Sequence, residues 1–226
     1  MLRDNAGMNE KPPVKRTDAV ANREALLDAA ATVLLREGPG VALDVVAREA
    51  GVGIATLYRN FANRQELFAA VVQRAYEIVA ALAREAEDST RPPLAAVATF
   101  LSRVVEEHQL LALPLLGAPR PASGEVNPLG HRISHSLGAV LRRGVADGSI
   151  RADVGASDLI VAGAMLARAQ LPAAEWGPAA GRLIALLVDG LRNRSDTTPL
   201  PPPLSRAQLD DALTRGNAPE DRPRPQ

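Results

Sequence analysis

Cysteine is missing from all 226 residues, which excludes a disulfide framework and any thiolate metal site. Aromatic residues make up only 3% of the chain, too few for a large stacking cage, so any ligand pocket is expected to be aliphatic or small. The formal net charge is zero. Affinity for a polyanion must then come from local clusters and not from the overall balance. No apolar run reaches the roughly 18 residues that a membrane span requires. The first residues, MLRDNAGMNEKPPVKR, are polar throughout and lack the apolar centre of a signal peptide. These absences lead to the expectation of a cytoplasmic protein that does not touch a membrane.

What is present is a hydrophobic fraction of 46%, ample for one core or two modest ones, and much of it falls at helical spacing. Leu26, Ala29, Ala30, Val33 and Leu34 follow i, i+3, i+4, i+7, i+8, one stripe of an amphipathic helix that Gly38, Pro39 and Gly40 stop. The stretch that follows, VVAREAGVGIATLYRNFANRQEL from Val45 to Leu67, organises the rest. Val45, Val46, Ala47 and Ala50 give a short helix an apolar face. Gly51 stands where a helix end needs a residue able to take positive φ, Val52 plugs the angle, and Gly53 is an acceptable N-cap for the next helix. That helix, roughly Ile54 to Asn60, buries Leu57 and Phe61 and presents Thr56, Tyr58, Arg59 and Asn60 outward. Two helices joined by a short glycine-containing turn form a helix-turn-helix. Residues 51–64 carry Arg59 and Arg64 without an acidic residue, a local charge of +2, and residues 11–23 carry a local charge of +3.

Ala47-Arg48-Glu49-Ala50-Gly51-Val52-Gly53, then Thr56-Leu57-Tyr58-Arg59-Asn60-Phe61, then Arg64-Gln65-Glu66-Leu67, resemble the TetR family of transcription repressors, over about Asp18 to Phe68. Three positions depart from the family pattern: Ala42 stands where Thr or Ser is usual, Gly53 where Ser is common, and Asn60 where His or Tyr is common. Loss of the N-cap oxygen at Ala42 costs about 0.5–2 kcal/mol, which Asp44 in the first turn partly offsets through the helix dipole.

Asn63 and Glu66 form a capping box that starts a long helix, with the stripe Phe68, Val71, Val72, Ala75, Val79 and Leu82 running to about Glu87. Arg64 falls at its first position, and a helix N-terminus beside an arginine suits a phosphate. Such a helix is a plausible lever between a DNA-reading end and a second region. After a break at Asp88–Pro93, stripes at Leu94–Val105 and at His131–Ala146 mark two further helices, separated by a proline- and glycine-rich loop over 117–128. Leu159–Ala169 and Leu183–Leu191 are apolar on nearly every side, which asks for burial all round. Past Asn193 the chain is proline-rich, then Leu204-Ser205-Arg206-Ala207-Gln208-Leu209 reads as another capping box with a staple.

The expected architecture is all-α: a disordered basic arm (1–16), a three-helix helix-turn-helix domain (17–66), a helical ligand-binding and dimerisation domain reached through the long helix (67–194), and a proline-rich tail (195–226) with a short helix near 205–215. The expected function is that of a bacterial DNA-binding regulator, a homodimeric repressor that a small-molecule effector releases from a palindromic operator in double-stranded DNA. The alternative is a DNA-binding regulator without such a ligand, controlled by a protein partner. Candidate DNA contacts are Ile54, Ala55, Thr56, Tyr58, Arg59, Asn60 and Arg64, with Lys15 and Arg16 reaching a neighbouring phosphate or the minor groove. Candidate pocket residues are Val104, His108, Leu111, Ile133, Leu137, Met165 and Arg168, which combine apolar walls with a few polar tips. The resemblance implies pairing through a four-helix bundle, with Leu159, Leu183, Leu186, Leu187, Gly190 and Leu191 at the interface.

Enzyme readings find little support, and neither a catalytic residue nor a cofactor is expected. His131 and His135 stand at i, i+4 without the glutamate of a metalloprotease helix or a clear third ligand, so no metal is assigned. His108 follows Glu106 and Glu107 at a helix end, Ser134 lacks a nucleophile elbow, and there is no phosphate loop. Trp176, the only tryptophan, is read as a core or interface plug.

Overall fold

The structure, a computed structural model, describes residues 14–38, 40–107, 128–167 and 172–215. It is all-α. Among the described residues nine helices follow one another: α1 (Val14–Glu37), α2 (Leu43–Glu49), α3 (Ile54–Asn60), α4 (Arg64–Asp88), α5 (Pro93–Glu106), α6 (Pro128–Ala146), α7 (Ala156–Ala167), α8 (Ala173–Gly190) and α9 (Arg206–Arg215). The one extended pairing among them is an isolated antiparallel bridge between Ile150 and Arg192.

The apolar stripes collect into two cores. The first, around Leu26, Ala30, Val33, Val46, Leu57 and Phe61, is built by α1, α2 and α3 together with Leu67, Phe68 and Val71 at the start of α4. The second gathers Ala75, Leu82, Ala83 and Ala86 from the remainder of α4 with Val97, Phe100 and Leu101 of α5, Leu137 and Val140 of α6, Leu159 of α7 and Ile184 of α8. With 25 residues, α4 spans about 37 Å. Polar contacts fasten it to α1 along its course and to α6 at its end. Arg74 reaches Glu24 at 3.1 Å and Asp28 at 3.0 Å on α1. At the far end, Ser136 Oγ donates to Glu87 Oε2 at 2.6 Å. Arg143 Nη1 donates to the carbonyls of Glu87 and Ser89, at 2.8 and 3.0 Å, taking up acceptors that a helix end leaves unpaired.

Three boundaries differ from the sequence expectation. α1 begins at Val14, so the last residues assigned to the arm already belong to the helix; the remainder of the arm lies outside the described residues. α6 begins at Pro128 and not at His131, proline being well suited to a first helical turn. α8 begins at Ala173, ten residues before the apolar run that announced it, and accommodates Pro178 inside the helix. The cost of that proline is offset by a stripe at four-residue spacing: Trp176, Ile184 and Val188 pack on the second core, and Ala180 is buried between them. The loop expected over 117–128, the apolar segment 110–116 and the C-terminal residues 217–226 lie outside the described residues, Pro128 excepted.

The tail docks on the body. Asp153 accepts from Arg151 on one side and from the Leu200 N–H, at 2.9 Å, on the other. Pro203 lies against Gly155, where a Cβ would come within 2.9 Å of the ring. Ser205 and Gln208 exchange the two bonds of a capping box. Arg206 Nη1 then donates to the Gly130 carbonyl at 2.8 Å and to Ser134 Oγ at 2.9 Å, and Leu209 is buried with 2% of its surface exposed.

The hydrogen bonds from Arg151, with the Leu200 N–H second, hold the Asp153 carboxyl below the ordinary carboxylate range. A carboxyl whose folded-state value is depressed contributes its full stabilisation above its unfolded value of about 4, and loses it as pH falls toward the lower folded value. Thermal unfolding followed from pH 6 down to about pH 2.5 should therefore show a loss of stability that begins near pH 4. Asp153→Asn should reduce the slope in that range, and an unchanged slope would remove Asp153 from the tail's attachment.

Candidate nucleic-acid interface

The turn between α2 and α3 explains how the recognition surface is presented. Ala50 closes α2, Gly51 takes φ +67°, and the N–H groups of Gly51 and Val52 donate to the carbonyls of Arg48 and Ala47 at 3.1 and 3.0 Å. This is a Schellman end, and its left-handed residue favours glycine. Gly53 then caps α3 through its main-chain carbonyl alone, which accepts from Thr56 N at 2.8 Å. Leu57 and Phe61 have no exposed surface; they turn one side of α3 into the first core and force the other into solvent.

On the outward side Ile54 is 42% and Tyr58 53% exposed, and Ala55 and Arg59 are exposed as well. Thr56 and Asn60 are half-buried. Their hydrogen bonds divide the candidates further. Arg59 Nη2 donates to Thr56 Oγ1 at 2.7 Å, so this arginine lies folded along its own helix. Asn60 Nδ2 donates to the Thr56 carbonyl at 2.9 Å, an internal use of the amide. Lys15 and Arg16 belong to the first turn of α1, and their side chains lie outside the described residues.

Ile54, Tyr58 and Arg64 converge on an open hollow of about 540 Å³ that Ala42, Leu43, Asp44, Ala62 and Asn63 complete. Two helix N-termini face it. At α4, Asn63 Oδ1 accepts from Glu66 N at 2.9 Å, while Glu66 Oε2 accepts from Ala62 N at 2.8 Å, one residue before the N–H expected. At α2, Ala42 offers no side-chain cap, and the first turn is closed by the main chain alone, Val45 N donating to the Ala42 carbonyl at 3.2 Å. Asp44, in the same turn, pairs with Arg48 at 3.1 Å. The sequence identified the α4 half of this hollow through Arg64. It treated the missing cap at Ala42 only as a defect, although the absent side chain also clears the approach to the α2 N-terminus.

The body candidates separate differently. Val104, Ile133 and Leu137 meet in the second core, each at 4% exposure or less. His108, Leu111 and Arg168 lie outside the described residues. Met165 is 70% exposed, so it is corrected from pocket wall to surface residue. Leu159, at 2% exposure, fills its own chain's core and has no surface to offer a partner; its place at the interface is corrected too. Leu183, Leu186 and Leu187 are 44%, 65% and 40% exposed, Gly190 is exposed beside them, and Leu191 is half-buried. The burial all round that this apolar segment asks for is thus not supplied within one chain. His131 and His135 lie in an open cleft between α4 and α6 with Glu77, Arg84 and Glu87, and no metal-holding cluster occurs among the described residues. No helix is long and apolar enough to cross a membrane among the described residues.

Residues 26–71 match the family model of bacterial regulatory proteins of the tetR family, and residues 92–193 match that of the SbtR-like transcriptional regulator C-terminal domain. No curated protein matches. Among solved structures, a TetR transcriptional regulator from Streptomyces coelicolor is 31% identical, with 76% of this chain and 99% of the other covered at a TM-score of 0.54. A TetR regulatory protein from Mycobacterium vanbaalenii is 26% identical, covering 79% and 99% at 0.57. A gamma-butyrolactone receptor, at 18% identity, shares the fold over 88% of this chain and 98% of its own at 0.59.

Gly51→Ala places a Cβ on a left-handed residue and should destabilise the first core by about 1 kcal/mol or more. Arg64→Ala should instead cost at most about 1 kcal/mol, the scale of its contact over the Phe68 ring, weaken binding to every duplex alike, and lower the slope of log affinity against log salt by about one. Thermal melts and salt-series binding curves separate the two.

Proposed function

The chain belongs to the TetR family and is a DNA-binding transcriptional regulator, and from that premise we propose that it is a homodimeric repressor released from a palindromic operator by a small molecule. The observation that carries this reading is the exposed apolar stripe of α8, where Leu183, Leu186 and Leu187 average near half exposure. An apolar patch of this kind in solvent asks for a partner, and a twofold axis lets the same patch on a second copy cover it.

A dimer offers two α3 helices to successive major grooves, about 34–36 Å apart or a related spacing, so the operator should be a palindrome or near-palindrome. Ile54 and Thr56 would meet thymine methyl groups, and Arg59, once swung away from Thr56, would read guanine or hold a phosphate. Tyr58 and Arg64, with the N-termini of α2 and α4, would fix the backbone; Asn60, Ala55, Lys15 and Arg16 remain candidates for nearby contacts. The effector would be an aliphatic or small molecule taken up in the body beside Val104, Ile133 and Leu137, in keeping with a fold that also occurs in proteins described as gamma-butyrolactone receptors. Its signal would travel along α4, whose side chains serve both cores. A coupling of about 1–3 kcal/mol would change operator affinity 5- to 150-fold.

Leu186→Glu puts a charge in the stripe without touching either core. Sedimentation should then show a monomer where the unaltered chain is a dimer. Affinity for a palindromic duplex should fall roughly 10²- to 10⁴-fold as the second half-site is lost, while the melting temperature of the first core stays unchanged. A variant that remains dimeric would exclude α8 as the interface.

A further inference from the structure

The recognition helix is too short to hold itself. α3 has seven residues and its N-cap makes no side-chain hydrogen bond, whereas helices of fewer than about 12 residues are marginal in water. Its orientation must come from what grips it. Two grips are hydrophobic, Leu57 and Phe61. The third is a cation from another helix.

Arg23, half-buried on α1, donates from Nη1 to the main-chain carbonyl of Asn60 at 3.2 Å. Its guanidinium carbon also lies 4.4 Å from the centre of the Phe61 ring. One planar cation therefore grips two consecutive residues at the C-terminal end of α3. The accepting carbonyl belongs to the negative end of that helix, where a cation is favoured, and the ring presents the face that attracts one. Making both contacts at once favours the flat guanidinium, since a lysine ammonium is a point charge on a flexible stem. Asn60 is held a second time by its own amide, bonded to the Thr56 carbonyl. The end of α3 is thus held by two hydrogen bonds and a cation–ring contact, whereas its start has no side-chain cap.

We infer that Arg23 is a positioning residue for DNA recognition: it sets the tilt of α3 against α1 and thereby governs discrimination between sequences, without reading a base. A shift in this tilt would move Thr56 and Arg59 relative to the groove floor. It would leave Arg64 and the N-terminus of α4 in place, because these are anchored by the α4 capping box, while Ile54 and Tyr58, which line the other side of the hollow, would move with α3. Sequence reading counted Arg23 only toward the basic charge of the N-terminal segment.

The test uses the full chain, a consensus duplex selected from a random pool, a shuffled duplex of equal length, and a salt series. Arg23→Met keeps an unbranched stem over Phe61 but removes donor and charge; Arg23→Lys keeps the charge and loses the planar geometry. Arg23→Met should lower affinity for the consensus about tenfold, the scale of one charge-assisted hydrogen bond. It should leave the shuffled duplex and the salt slope unchanged. Arg23→Lys should stay close to the Met variant, and it carries the test alone if the Met variant does not fold. Equal losses on both duplexes, with the salt slope lower by about one and rescue by lysine, would make Arg23 a phosphate contact. Unchanged discrimination between the two duplexes would reduce it to an ordinary surface residue. Either result overturns the inference.

Discussion

Leu67, Phe68 and Val71 are buried in the core of the DNA-reading head, while Ala75, Leu82, Ala83 and Ala86, further along the same helix, are buried in the core of the body. This sharing of α4 is the constraint on which the rest of the structure depends. A 25-residue helix bends only gently unless proline, glycine pairs or an inserted group break its hydrogen bonds, and RQELFAAVVQRAYEIVAALAREAED contains neither proline nor glycine. The head therefore cannot rotate freely on the body. The distal half of α4 is tied to α6, Glu87 to Ser136 and the terminal carbonyls to Arg143, so one unbroken helix belongs to both cores.

The head works under the opposite economy. Its reading element is short and uncapped at the start, so it borrows its position from Leu57, Phe61 and the polar grip at its end. The start of α4 beside it is held twice, by the Asn63–Glu66 capping box and by Leu67 and Phe68 buried in the same core. A rigid anchor beside a dependent reader lets backbone contacts set the register while side chains at the groove floor remain open to variation.

The sequence made the head legible because every structural device there is local. Gly51 shows its positive φ through residue type, Asn63 and Glu66 show the box through spacing, and the i, i+3, i+4 stripe shows the buried side of α1. The body was less legible because its determinants are tertiary. Pro178 advertises a break where packing of Trp176 and Ile184 keeps a helix. Met165 and Leu159 both sit in an apolar segment with no polar face to orient it, and the chain's path alone decides that one is exposed and the other buried. The docking of the tail depends on two glycines, Gly130 and Gly155, whose missing side chains make room for Arg206 and Pro203. Nothing near them in the sequence marks that role. Arg23 was invisible as a positioning residue for the same reason: its partner carbonyl is 37 residues away.

The most direct measurement is selection of bound DNA from a random pool, carried out at two salt concentrations. Two α3 helices brought together by α8 should enrich a palindrome or near-palindrome whose half-sites are centred about one helical turn, or a related spacing, apart. Binding to it should fall steeply as salt rises, because phosphate contacts release counterions. A single unpaired half-site would contradict the dimer. Failure of a folded, dimeric protein to enrich any sequence would contradict the assignment of α3 as a reading element.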